Sequence, residues 1–85
     1  MKLYLHRNFV KKQKHLSTKL RAKLYERLRI FQENQFNPVL NNHSLSGKWL
    51  GYRSIEVTGD IHAIFKQENS GALFVDVDNH NNLYA

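Results

Sequence analysis

The sequence predicts an α+β domain in which two N-terminal helices pack on one face of a mainly antiparallel four-stranded sheet, in the order β-α-α-β-β-β. Three observations predict it. Leucines recur at helical spacing through residues 16–31. Three strand-like runs with alternating apolar residues follow Pro38, separated by turn signals. A short alternation at Leu3 and Leu5 opens the chain and supplies the fourth strand. At 85 residues the chain is read as one domain, residues 1–85. So small a domain buries only about 60–65% of its unfolded surface, so its core is thin.

The elements follow in order. Residues 2–5 read as the first strand. Residues 7–15 are highly charged, with Phe9 and Val10 on one side, and predict a weak helix. Ser17 or Thr18 offers the cap of the next helix. There Leu16, Leu20, Leu24, Leu28 and Phe31 form one apolar stripe, and Lys19, Arg21, Lys23, Arg27 and Arg29 lie largely off it. This helix must end before Asn37-Pro38, because the residue before proline disfavours the helical region. Asn41, Asn42, Ser44, Ser46 and Gly47 then predict a polar loop. The three strands are placed at residues 49–57, 61–65 and 73–77. Placing Ile55, Val57, Ile61, Ala63 and Phe65 on the core sets Ile55 against Ile61 across a three-residue turn, Glu56 against Asp60, and Ser54 against His62. In the last strand Leu73, Val75 and Val77 are expected to face the core, with Asp76 and Asp78 facing away.

The charge is divided along the chain. Residues 1–33 hold ten Lys/Arg against two Glu, a balance of +8, whereas residues 34–85 hold three against five acids, a balance of −2. The basic third suits a phosphate backbone or an acidic protein, and equally a solvated helix surface. There is no cysteine, so neither disulfides nor thiolate metal sites are available. Charged residues interrupt the N-terminus, so no signal peptide is expected, nor any membrane partner; a cytoplasmic location is expected. The histidines lack ligand spacing such as H-x₃₋₅-H, so no zinc site is read.

The segment His43-Ser-Leu-Ser-Gly-Lys-Trp-Leu-Gly-Tyr-Arg53 resembles the loop-to-strand signature of RelE-type toxins. The hairpin Gly59-Asp60-Ile61-His62-Ala63-Ile64-Phe65 and the final His80-Asn-Asn-Leu-Tyr84 are similar to those of the YafQ branch of the RelE/ParE superfamily. The motifs span residues 40–85, and the element order spans the chain. The resemblance implies a RelE-like microbial RNase fold, mRNA cleavage in most cases inside the ribosomal decoding site, silencing by a cognate antitoxin protein, and no metal or organic cofactor.

Cleaving RNA without a metal requires a base for the ribose 2′-hydroxyl, cations for the phosphate and an acid for the departing 5′ oxygen. Histidine serves either proton role, and arginine or lysine serves the phosphate. The resemblance places catalytic functions on His43, Asp60, His80 and Tyr84. It also places one on Glu56, where the branch carries histidine, and on His62, where many members carry arginine. Lys48 and Arg53 then become phosphate ligands, and Lys11, Lys12, Lys14, Lys19, Arg21 and Lys23 become contacts to ribosomal RNA. Each has a plainer reading: a turn residue for Asp60, a solvated strand position for Glu56, an exposed chain-end histidine for His80. Trp49 and Tyr52 read as packing, and His6 and His15 receive no role. The alternatives are a gyrase-inhibiting ParE-like toxin, which has no need of the His43, His80 and Tyr84 set, and a non-enzymatic nucleic-acid-binding module.

Overall fold

A computed structural model describes residues 1–85. Strand β1 (Lys2–Leu5) leads into helix α1 (Arg7–Gln13) and helix α2 (Thr18–Glu33). A short strand β2 (His43–Ser44) precedes β3 (Arg53–Glu56), β4 (Ile61–Glu68), β5 (Gly71–Asn79) and a final helix α3 (His80–Tyr84). The sheet order is β1-β5-β4-β3-β2, with β1 parallel to β5 and every other pair antiparallel. The expected α+β class and element order are present. The sheet has five strands rather than four, because His43 and Ser44 pair with Ser54 and Arg53 in a stretch whose polarity predicts a loop. Helix α3 is a second addition. Asn79 caps it, its side chain accepting from Asn82 N at 2.8 Å.

The helices form where the capping chemistry allows. The Ser17 hydroxyl accepts from Leu20 N at 3.2 Å and starts α2. His6 plays the same part for α1, its Nδ1 accepting from Asn8 N at 3.0 Å. The α2 stripe is buried at Leu24, Leu28 and Phe31, while Leu16 is only partly covered. Phe31 stands within 4.9 Å of the Phe65 ring and 5.2 Å of Phe74, and Phe9 within 5.7 Å of Phe74. These tilted and edge-on contacts each add about 0.5–1.5 kcal/mol beyond area burial. Ile55, Val57, Ala63 and Val77 complete the cluster from the sheet.

Two details of the sheet differ from the sequence expectation. The β3–β4 register pairs Ile55 with Ala63 and Glu56 with His62, two residues beyond the predicted pairing. The turn is longer because Thr58 organises it: its Oγ1 accepts from Ile61 N at 3.0 Å and Asp60 N at 3.3 Å. A shift of two preserves which residues share a face. On β5 a bulge opposite Ile64/Phe65 inserts Val75 and reverses the alternation. Ala72 and Phe74 therefore face the core in place of Leu73 and Val75, and Val77 returns to it beyond the bulge. Helix α1 takes over the β5 edge where β1 ends, and Asn8 Nδ2 donates to the bulge carbonyl of Val75 at 3.0 Å. At the other end of β5, a Cβ on Gly71 would collide with the Lys2 carbonyl, so glycine permits the β1 approach.

Candidate active site

The alternation that gives Ile55 and Ala63 to the core turns Ser54, Glu56, His62, Ile64, Asp76 and Asp78 to the opposite face. That face is roofed rather than open. Residues 49–52, predicted as strand, instead fold into turns, because Gly47 and Gly51 take φ of 62° and 92°; Gly47–Trp49 becomes a 3-10 turn. Trp49 Nε1 donates to the Leu83 carbonyl at 2.9 Å, tying this turn to α3. Ile64 and Leu83 are fully buried outside the main cluster. The packing role read for Trp49 is thus more specific: it joins two elements that carry candidate site residues.

Between the roof elements lies a cleft of about 470 Å³ lined by residues 43–49, His62, His80 and Tyr84. The ring centroids of His62 and His80 are 5.7 Å apart, those of His62 and Tyr84 5.9 Å, and those of His80 and Tyr84 4.7 Å. His62 is buried, and its Nδ1 has no hydrogen-bond partner; neither has the buried hydroxyl of Tyr84. Such groups are rare in folded proteins. His43 and His80 are exposed. His43 Nδ1 lies 2.7 Å from the Asn41 carbonyl, which can only accept, so in the neutral ring Nδ1 carries the proton and Nε2 keeps its lone pair. Lys48 Nζ stands at the rim and donates to the Ala85 main-chain oxygen at 3.0 Å.

Other residues expected in the site lie outside the cleft wall. Arg53 is on the helix side of β3, since it shares parity with Ile55. Its Nε donates to Asn42 Oδ1 at 2.8 Å and its guanidinium lies 5.9 Å from the Phe36 ring, so it is no phosphate ligand of this cleft. Asp60 contributes backbone: its carbonyl accepts from His80 N at 2.9 Å and so anchors α3 to the hairpin. Glu56 is directly across from His62 on the same face, yet its Oε1 accepts from Asn41 Nδ2 at 3.0 Å.

Asp78 flanks His62 from β5 and is also engaged. Lys12 Nζ lies 2.8 Å from Asp76 Oδ1 and 3.0 Å from Asp78 Oδ2. Partial burial opposes the charge on Lys12, but hydrogen bonds and attraction to Asp76 and Asp78 outweigh it and raise its pKa above 10.5. Burial likewise pushes Asp78 up, and hydrogen bonds from Asn82, Lys12 and Asn79 N outweigh it, holding the carboxyl below 3.8. Lys12 is therefore engaged by the two β5 carboxylates. Arg21 is half-buried and donates to the Leu16 carbonyl at 3.2 Å, and Lys23 lies 3.6 Å from Glu26. Lys11, Lys14 and Lys19 are exposed and make no ion pair.

Sequence reasoning gave no site-related role to Asn41, Ser54, Asn79 or Trp49. Ser54 is buried, pairs with His43 across the strands, and has an unpartnered hydroxyl. Its signal was parity, which put it on the face of His62. Asn79 carried a signal too, as a capping residue ahead of His80.

This topology, with a histidine-lined cleft on the face opposite α1 and α2, is the RelE/ParE-type toxin fold. The YafQ toxin of Escherichia coli strain BL21(DE3) superposes with a TM-score of 0.77 at 21% identity, covering 99% of this chain and 98% of that one. YafQ in the E. coli DinJ-YafQ complex gives 0.71 at 23% identity, with 99% and 98% covered. A YoeB/ParE toxin from Agrobacterium tumefaciens gives 0.78 at 16% identity, with 94% and 99% covered. At the sequence level no protein-family model and no curated protein matches the chain.

Proposed function

We propose that this chain is the toxin of a type II toxin–antitoxin pair, an endoribonuclease that cleaves mRNA on the ribosome in the cytoplasm. The observation that carries the reading is the convergence of His43, His62, His80 and Tyr84 on one cleft with a lysine at its rim. In the scheme, His43 Nε2 takes the proton of a ribose 2′-hydroxyl, and that oxygen attacks the adjacent phosphorus. Lys48, with a ring N–H of His62, balances the charge growing on the phosphate oxygens. His80 gives a proton to the departing 5′ oxygen. A 2′,3′-cyclic phosphate and a 5′-hydroxyl result, and the scheme requires no metal. Tyr84 offers a ring for a base to stack on. Lys11, Lys14 and Lys19 supply phosphate contacts to ribosomal RNA without reading sequence.

An antitoxin partner is supported by the neighbours, since YafQ is found with DinJ and the Staphylococcus aureus YoeB with YefM. An acidic protein complements the N-terminal charge. The test is mRNA cleavage in a translation reaction by the purified chain and by His43→Ala and His80→Ala. Both side chains are exposed, so melting should be unchanged, while cleavage should fall by about 10²–10⁴ in each. Undiminished cleavage by both variants would remove the site. No cleavage by the native chain, with gyrase inhibited instead, would establish the ParE-like reading.

A further inference from the structure

Asn41 links the rigid sheet to the ring of His43. It adopts φ of 46°, in the left-handed region that asparagine tolerates better than most residues. Three contacts hold it there. Its N–H donates to the Pro38 carbonyl at 3.2 Å, closing the preceding turn. Its Nδ2 donates to Glu56 Oε1 at 3.0 Å, and its own carbonyl accepts from His43 Nδ1 at 2.7 Å. Glu56 is the last residue of β3, paired on one side with β4, so it is a fixed post. His43, by contrast, is an exposed side chain on a two-residue edge strand. Its orientation therefore depends on local contacts such as the one from Asn41.

We propose that Glu56 is a positioning residue: acting through Asn41, it holds His43 as the Nδ1–H tautomer, which leaves the Nε2 lone pair available to the cleft. This is the tautomer a free histidine side chain disfavours in water, so a contact is needed to select it. A hydrogen bond of ordinary net strength changes such a ratio by roughly 2- to 10-fold. The catalytic value of the relay rests on the ribonuclease reading; the tautomer itself does not. The role also differs from a proton-accepting one for Glu56, because positioning needs only an acceptor oxygen.

The experiment combines long-range ¹H–¹⁵N spectra of the neutral His43 ring with cleavage rates, for the native chain and for Glu56→Gln, Glu56→Ala and Asn41→Gly. Glycine keeps the left-handed backbone at residue 41 while removing the amide. The native chain and Glu56→Gln should show the proton on Nδ1. Glu56→Ala and Asn41→Gly should shift it toward Nε2 and slow cleavage by roughly 2- to 10-fold, and the double variant should be no slower than either. An unchanged tautomer in both Glu56→Ala and Asn41→Gly would overturn the relay. So would Glu56→Gln losing as much activity as Glu56→Ala with the proton still on Nδ1, the mark of a general base. If the native chain cleaves nothing, the ribonuclease reading fails while the spectra still decide the relay.

Discussion

Lys12 lies between two carboxylates, and its position gives a signed prediction. The Asp78 carboxyl is held below 3.8, so its contribution to stability is full above that value and is lost as pH falls through the depressed folded value. Lys12 is raised above 10.5, so its contribution is full below that value and is lost as pH rises through the raised one. Removing the ammonium in Lys12→Met leaves Asp76 and Asp78 close together with no cation between them. The variant should melt lower than the native chain at neutral pH. It should lose less of its remaining stability on acidification, because protonating Asp78 then relieves repulsion. Melting temperature measured from acid to neutral pH checks this, and parallel native and variant curves would contradict it. The same residue shows a limit of charge counting. In the sequence Lys12 is indistinguishable from Lys11 and Lys14, because Asp76 and Asp78 are 64 and 66 positions away and their approach is a product of the fold.

Among the elements, α3 matters most to the proposed chemistry and is among the shortest. Its five residues bring His80 and Tyr84 to the cleft, and it is held by the Asn79 cap, the Asp60 carbonyl and the Trp49 indole. Asn79→Ala removes the cap, which costs about 1 kcal/mol of helix stability. Because the helix lies outside the main cluster, the cost should appear as local fraying: faster amide exchange at Asn82 and slower cleavage, with little change in global melting. An equal loss of global stability, with exchange unaltered, would contradict that view. The two long helical and strand patterns were legible in the sequence, since leucine periodicity at Leu24, Leu28 and Phe31 and the parity of Ile55 and Ala63 report burial directly. The bulge at Val75 and the roof over residues 47–52 were not. Alternation carries no mark of an inserted residue, and nothing near Trp49 in the sequence points to Leu83. The cleft histidines were found through a motif resemblance, and Arg53 was misplaced because spacing along a strand was not converted into a face.

Across the whole molecule, the two faces of the sheet divide the labour. One carries the aromatic cluster of Phe9, Phe31, Phe65 and Phe74 and is covered by basic helices; the other carries His62 beneath a polar roof. The +8 of residues 1–33 therefore sits largely with the helices, while the proposed chemistry belongs to the net-acidic remainder. No helix is long and apolar enough to cross a membrane. If the cleft drives attack of the 2′-oxygen on phosphorus, the ends of the cleaved RNA report that step. A defined mRNA is incubated with translating ribosomes and the purified chain, and the fragment termini are identified. The expected fragments carry 2′,3′-cyclic phosphate and 5′-hydroxyl ends and are lost with His80→Ala. Intact mRNA, or fragments bearing 5′-phosphates, would contradict that step.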